Sequence, residues 1–364
     1  MRLSIIDHPA ELASIGEAWR QLEQADPPSV IGTFHFLSAW CRQRLGEDQL
    51  QVLVFHQGSE CVGIAPLMIA QRRMGPLRVP TLLYLSRNGY VPGARLLARP
   101  DAREIVAEAL VDHLLHRDRP WHAVRLNNIE PGGPLEATIR RRQEDGARIN
   151  FGPDEGSATI PLPADWQELM AGFRRDRRKT LRNKTRRMEE ELGLENRAVR
   201  DLREMLPALD ECFAVSARSW QGRAGTGIDS NAPSRAFYRD LLTDYARRGQ
   251  ARIQLLRAGG RAVAFELSLA HRDTHYALKT GYDEAFKEYG PGVIVEAAAF
   301  RAALEAGDRR VELFHPASQA KLAWGVTSKP FRRVTLFTGS LSGRLLQFAR
   351  SGRQRALATL RSGA

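Results

Sequence analysis

The chain has 364 residues, 43% of them apolar and 26% charged, the profile of a folded globular protein long enough for two cores. Its formal charge of +12 is local: residues 174–187 carry +8, residues 313–364 carry +9, and the remainder sums to −5. With six lysines among 54 cations, that balance does not by itself make the chain a nucleic-acid binder. The first predicted elements are strands at 50–57 and 61–70 around the polar turn Gln57-Gly58-Ser59-Glu60. A helix follows over 101–116, with Asp101 as N-cap and Ile105, Ala109, Leu110 and Leu114 on one face. Ala123 to Ile129 reads as a buried strand, broken by Pro131-Gly132-Gly133-Pro134, from which a second helix runs to about Gly146.

The strongest boundary signal is Gly152-Pro153-Asp154-Glu155-Gly156-Ser157. It divides the chain into an N-terminal domain (1–155), a second domain (156–340) and a basic C-terminal helix or tail (341–364). Asp165 and Glu168 stand at capping-box spacing. They predict one long helix through Phe173-Arg174-Arg175-Asp176-Arg177-Arg178-Lys179-Thr180-Leu181-Arg182, striped by Phe173, Leu181, Met188 and Leu192. Helices at 201–220 and 233–248 follow, with Trp220 assigned to the core, then strands at 251–257, 261–270 and 274–281. Tyr282-Asp283-Glu284-Ala285-Phe286 and Tyr289-Gly290-Pro291-Gly292 lead into an apolar-rich helix from Val293 to Ala306. Pro291 suits the first helical position. Gly290 and Gly292 leave the amides there uncovered for an anion such as a pyrophosphate, although the same residues also suit an ordinary loop-to-helix junction. Strands near 310–314 and 333–338 complete the set, and Leu345, Phe348 and Ala349 stripe the last helix.

Several function classes are excluded. No run of about 18 apolar residues suggests a membrane span, and the start of the chain, with Asp7 and Glu11, lacks the apolar segment of a secretory signal. Cys41, Cys61 and Cys212 are scattered, with no CxxC spacing, so neither a disulfide framework nor a metal site is expected and a cytoplasmic setting fits. No Ser-His-Asp order, HExxH or Walker loop occurs.

The basic run, Arg218-Ser219-Trp220, Gly260-Arg261-Ala262-Val263-Ala264, the glycine loop, Gly307, Glu312-Leu313-Phe314 and Lys321-Leu322-Ala323-Trp324 follow one another in a fixed order. Trp19, Trp40 and Val62-Gly63-Ile64-Ala65-Pro66-Leu67 extend the series into the N-terminal half. In that order the series resembles the CelD-type branch of the GNAT acyltransferase superfamily, associated with cellulose and exopolysaccharide biosynthesis and similar to the Fem-type aminoacyltransferases. The resemblance implies an α/β fold with a mixed sheet, built as tandem GNAT-like acyl-CoA acyltransferase units, the first degenerate. It also implies a coenzyme A thioester, acetyl-CoA foremost, as donor and an amine on a cell-envelope or polysaccharide precursor as acceptor. Where the superfamily signature has a basic or amide residue and further glycines before the helix, this chain has Lys287, Gly290 and Gly292. These residues and Val293 are the expected cofactor contacts, with the acyl carbonyl polarised by a strand amide near Gly281 or Tyr282.

Acyl transfer to an amine requires a base for the ammonium and an acid for the thiolate. Glu266 is the candidate base. Alternation along its strand puts Val263, Phe265, Leu267 and Leu269 on one face and Glu266 with Ala264 and Ser268 on the other, where burial would raise its carboxyl. A solvent-facing glutamate is the competing reading. Tyr276 and Tyr282 are candidate acids, though strand tyrosines also serve as core or rim. Lys321 matches a lysine-aromatic element that lies near the acceptor pocket in the Fem-like group, and otherwise reads as a helix-surface lysine. His315 stands at a strand end where α/β active sites collect.

Arg177, Arg178 and Lys179 on the basic helix have three readings: a solvated face, attraction of an anionic partner, or steering of coenzyme A phosphates. The absence of aromatics between Phe173 and Trp220 weighs against nucleic acid. Two other functions share the fold: transfer from aminoacyl-tRNA, and a non-catalytic accessory of polysaccharide synthesis held at anionic membrane.

Overall fold

A computed structural model describes residues 1–74, 77–86, 95–153, 155–314, 319–340, 342–343 and 346–347. His315 and the stripe of the expected last helix lie outside them. The first half contains β1 (Arg2–Ile6), α1 (Gly16–Ala25), α2 (Phe34–Arg44), β2 (Gln49–Gln57), β3 (Glu60–Met74), β4 (Leu77–Tyr84), β5 (Leu97–Ala98), α3 (Arg103–Leu115), β6 (Ala123–Ile129), α4 (Pro134–Glu144) and β7 (Ile149–Phe151). The next elements are β8 (Glu155–Pro161), α5 (Trp166–Gly172), α6 (Arg175–Leu192), β9 (Leu194–Val199), α7 (Leu202–Ala217), α8 (Trp220–Arg223) and α9 (Ala232–Ala246). The last are β10 (Ala251–Ala258), β11 (Arg261–His271), β12 (Thr274–Tyr282), α10 (Pro291–Glu305), β13 (Arg310–Glu312), α11 (Gln319–Leu322) and β14 (Thr327–Phe337).

Two compact units result. One holds Met1–Ser38, Leu45–Glu155 and the chain from Pro330; the other holds Ala39–Arg44 and Gly156–Lys329. Each has a mixed sheet, and the same order of elements recurs. In the first unit β1, two helices and the antiparallel β2, β3 and β4 are followed by α3 and by β6, which runs parallel to β4. In the second, β9, helices α7 to α9 and the antiparallel β10, β11 and β12 are followed by α10 and by β13, parallel to β12. A parallel neighbour requires the chain to cross back over the sheet, which is the task of α3 and α10. The tandem arrangement implied by the resemblance is therefore present.

The strand beyond each parallel pair is distant in sequence: for the first unit it is the last described strand of the chain, and for the second it is that unit's own first strand. β14 pairs antiparallel with β6 and β7, whereas β8 pairs antiparallel with β13. Residues 330–337, expected in the second domain, thus belong to the first unit. Val334 and Leu336 are fully buried in the core formed by Leu82, Val124, Leu126 and Ile149.

Three local expectations are corrected. The long helix breaks into α5 and α6 because Phe173 adopts φ −74°, ψ 148°. That turns its ring inward, where it meets Trp166 and Trp324 edge-on at 6.2 and 4.8 Å. Burying such a ring is worth roughly 1.5–3 kcal/mol, more than a lost helical hydrogen bond at about 1 kcal/mol. Arg174 N–H also finds the Ala323 carbonyl at 3.1 Å. Asp101 does not cap α3, whose N-cap position is Ala102; it accepts from Arg99 at 2.6 Å instead. Trp220 is 47% exposed, so it is not a core residue. Asp165 does cap α5, accepting from Glu168 N–H at 2.9 Å.

Gly325, which follows Trp324, has φ +71°, and a Cβ there would lie 2.5 Å from the Gly172 carbonyl oxygen. Gly325→Ala is expected to cost about 1–3 kcal/mol in urea unfolding. An unchanged midpoint would show that the α5–α6 break does not press on this glycine.

Candidate active site

The cleft arises where two parallel strands part. β12 and β13 pair over Thr274–Tyr276 and Arg310–Glu312. β12 then continues to Tyr282, while the chain after β13 turns off at Phe314, whose φ is +47°. The opening, about 320 Å³, is lined by Arg177, Tyr282, Lys287, Gly290, Pro291, Gly292, Val293, Glu296, Leu313, Lys321 and Trp324. That is the lower end of the range for small-ligand sites.

Its glycine loop is fixed at Asp283, which is almost fully buried. This carboxylate accepts from Arg218 Nε at 2.6 Å, Arg261 Nη2 at 2.5 Å and Ala285 N–H at 3.0 Å. Burial opposes its ionisation, but the Arg218 bond, the Ala285 amide and the Arg261 bond outweigh it and hold the carboxyl below its ordinary value. Three motifs far apart in sequence thus meet to set the end of β12. Gly290 takes the left-handed conformation, φ 65° and ψ 41°, and Pro291 opens α10. Val293 and Ile294 N–H turn back to the Gly290 carbonyl at 3.1 and 3.4 Å, whereas Gly292 N–H makes no backbone hydrogen bond among the described residues. A Cβ on Gly292 would sit 3.2 Å from Tyr282 Cδ1, so a side chain there crowds the mouth of the cleft.

One turn further along α10, Glu296 opens onto the same space. Its carboxyl is raised to about 7, first by burial and then by the nearby Glu266, against the Trp324 hydrogen bond and the charges of Arg177 and Lys321. Trp324 Nε1 donates to Glu296 Oε2 at 3.0 Å. The indole is held edge-on by Phe173 and Phe300 at 4.8 and 5.2 Å, and Arg177 lies 4.6 Å above its ring. Lys321 turns inward and donates to the Leu313 and Phe314 carbonyls at 2.6 and 3.2 Å. Burial lowers its ammonium, and Glu296 and Glu312 act against that shift. Glu312 is raised by burial, with Ser157, Thr159 and the Phe314 amide opposing through hydrogen bonds.

The cleft therefore brings together Tyr282, Lys287, Gly290, Gly292, Val293, Lys321 and Arg177 from the sequence candidates. It does not include four others. Glu266 is completely buried, with Oε1 2.7 Å from His275 Nε2. Tyr276 is buried and stacks on Phe314 at 5.6 Å. Arg178 donates to the Ala171 carbonyl at 2.7 Å, at the end of α5, and Lys179 is exposed. Sequence reasoning passed over Glu296. The available signal was an acid four residues after Gly292, with apolar residues on both sides of it in the first turns of the helix, a spacing that places both on one face.

Among the described residues no helix is long and apolar enough to cross a membrane, and no group of acids, histidines or cysteines is placed to hold a metal ion. Residues 175–322 match the family model described as an acetyltransferase (GNAT) domain. The GNAT match begins at α6 and ends in α11, so it takes in every residue lining the cleft except Trp324. A search of curated proteins finds no match to the chain. Among solved structures, FemX is similar at a TM-score of 0.57 with 11% identity, over 91% of this chain and 97% of that one. L-PGS of Bacillus licheniformis gives 0.54 at 15% identity, over 92% and 96%. A DUF2156 domain ascribed to a lysylphosphatidylglycerol synthetase of Agrobacterium fabrum gives 0.54 at 13%, over 92% and 95%. At these identities the likeness is one of fold.

Because the Trp324 bond favours the ionised Glu296, removing it raises the carboxyl further. Trp324→Phe should move the acidic limb of a pH–rate profile upward, by up to about one pH unit. A limb that stays in place or moves down would separate Glu296 from the rate.

Proposed function

We propose that the second unit is an N-acyltransferase that takes an acyl group, acetyl foremost, from a coenzyme A thioester and delivers it to an amine. Glu296 carries this reading: a carboxyl held near 7, inside a cleft that the start of α10 also faces. An amine arrives as an ammonium and must lose a proton before it can attack a thioester, and a base titrating near the working pH does this best. The fit to coenzyme A rests on the cleft itself. The uncrowded Gly292, its N–H, the positive end of α10 and the side chains of Arg177 and Lys287 suit a diphosphate. The end of β12 reaches the opening at Tyr282, and an amide near Gly281 or Tyr282 would polarise the acyl carbonyl. Tyr282 is the acid on hand for the departing thiolate, and the Lys321 ammonium adds positive charge where oxygen gains negative charge. The acceptor class, an amine on a cell-envelope or polysaccharide precursor, is supported by the CelD-type order of motifs.

Calorimetric titration with acetyl-CoA should show one saturable site, lost in a folded Gly292→Arg variant. Glu296→Gln should keep that binding and lose about 10²–10⁴-fold in turnover. Failure of every coenzyme A thioester to bind would overturn the donor assignment.

A second donor, aminoacyl-tRNA, is favoured by one observation. Arg175, Lys179 and Arg182 are exposed at helical spacing on α6, the helix whose Arg177 reaches the cleft. Under that reading, RNA binds with a steep salt dependence that charge reversal at these three positions removes. RNA binding that is weak and indifferent to the reversals rejects it.

A further inference from the structure

The first unit has an opening of its own at the corresponding place. β4 and β6 run parallel over Thr81–Leu83 and Ala123–Arg125, three residue pairs, as β12 and β13 do. Beyond them β4 ends at Tyr84, and β6 bends at Asn128, whose φ is +62°. Crevices past the carboxyl ends of parallel strands are where α/β sheets take ligands. Here the space is about 90 Å³, against about 320 Å³ in the second unit. That is below the range of about 300–1,000 Å³ for drug-sized ligands, so a coenzyme A thioester is excluded. Arg103 and Ala107 line it four residues apart on α3, as Gly292 and Glu296 line the other on α10. An arginine thus stands in the relation of the bare glycine, and an alanine in that of the titrating carboxyl. Such a cleft can bind a ligand but lacks the base to transfer anything to it.

The charged groups there are arranged around Asp26, which follows α1 and is 6% exposed. Arg95 grips both carboxylate oxygens, Nη1 to Oδ2 at 2.8 Å and Nη2 to Oδ1 at 2.9 Å. Arg103 Nη2 donates to Oδ1 at 2.9 Å, and Ala98 N–H to Oδ2 at 3.4 Å. Burial works against ionisation of this carboxyl, but the Arg95 bond and charge, the Ala98 amide and the Arg103 charge hold it below its ordinary value. Asp26 is therefore a fully occupied acceptor that fixes two guanidiniums. Arg95 also donates to the Leu96 and Pro27 carbonyls, at 3.1 and 3.2 Å, which leaves it one N–H. Arg103 is different. Its side chain is 44% exposed, and the bond to Asp26 uses one of its N–H groups among the described residues. Glu130 lines the same space, is exposed and has no side-chain partner among the described residues. The cleft so presents one fixed guanidinium with several unused donors and one unpaired carboxylate.

We propose that this cleft is a second ligand site, one for a small amino carboxylate whose carboxylate meets the fork of Arg103 and whose ammonium faces Glu130. A guanidinium matches a carboxylate through two parallel hydrogen bonds. Glu130 disfavours a ligand with negative charge alone, such as phosphate, and favours one that carries a cation as well. The space is smaller than the cavity of about 150 Å³ that takes benzene, so a ligand of a few heavy atoms, glycine or alanine, fits it. Asp26 is a positioning residue that keeps Arg103 aimed into the space. The site does not depend on the donor or the base assigned to the second unit.

The test is calorimetric titration of the intact protein with L-alanine, acetate and inorganic phosphate. Alanine should bind at one saturable site, about two- to fivefold more tightly than acetate, the difference made by an exposed ion pair to Glu130. Arg103→Gln should weaken alanine about tenfold or more, since it removes charged hydrogen bonds. Glu130→Gln should bring alanine down to the level of acetate. Gly292→Arg, which fills the opening of the second unit, should leave alanine binding as it was, so the two sites are read separately. If Arg103→Gln does not fold, Glu130→Gln decides alone, because that side chain is exposed. The proposal is overturned if alanine shows no saturable binding, if its binding survives Arg103→Gln, or if phosphate binds more tightly. A preference for alanine over acetate that persists in Glu130→Gln overturns it too.

Discussion

Three residue pairs of parallel sheet, Thr274–Tyr276 against Arg310–Glu312, decide the shape of the second unit. A longer pairing would close the gap between β12 and β13, and a shorter one would detach β13 and the helix that reaches it. Because the strands part early, the end of β12 keeps one neighbour, β11, and the start of α10 points into the gap. Every feature with chemical potential follows from that divergence. It leaves room for a ligand of a few hundred cubic ångströms, gives the helix N-terminus a free approach, and brings Glu296 within a turn of that terminus.

The unit holds its buried acids in two opposite ways. Asp283 is surrounded by two guanidiniums and a backbone amide, whose combined pull exceeds the cost of burial, so it stays charged and acts as a fixed anchor. Among the described residues Glu266 has a neutral imidazole on one oxygen and nothing on the other, and Glu296 has one indole N–H, so burial wins. The difference is one of partner count. It marks Asp283 as scaffold and Glu296 as a group able to take up and release a proton near neutrality, while burial keeps Glu266 raised well above its ordinary value.

Much of this was legible from residues alone. Strand alternation placed Glu266 on the face of β11 opposite Val263, Phe265, Leu267 and Leu269, a face that is buried as well, and Pro291 between two glycines marked the start of α10. The strands that were expected fell close to their places, whereas β1, β4, β5, β7, β8 and β9 were not foreseen. What could not be read depended on contacts distant in sequence. Phe173 breaks the basic helix because of Trp324, about 150 residues on, and local propensity through Arg174–Arg182 gives no hint of it. Trp220 looked like core because tryptophan usually is, yet it falls on a four-residue helix with no buried face. Glu296 was hidden by the apolar residues around it, which made its helix look like uniform packing. Its importance appears when Trp324 and Lys321 are seen to converge on the same opening.

The return of β14 to the first unit has a consequence for how the chain is made. When β6 leaves the ribosome, the strand that will cover its free edge lies roughly 200 residues away, at about 5–20 residues per second a wait of some 10–40 s. For that time the nascent first unit carries an open sheet edge of the kind that recruits other strands. β8 is made early and idles in the same way until β13 arrives. The first half of the sequence does not contain a finished sheet, so a break in translation or proteolysis near Glu155 would leave the first unit without the strand that pairs with β6.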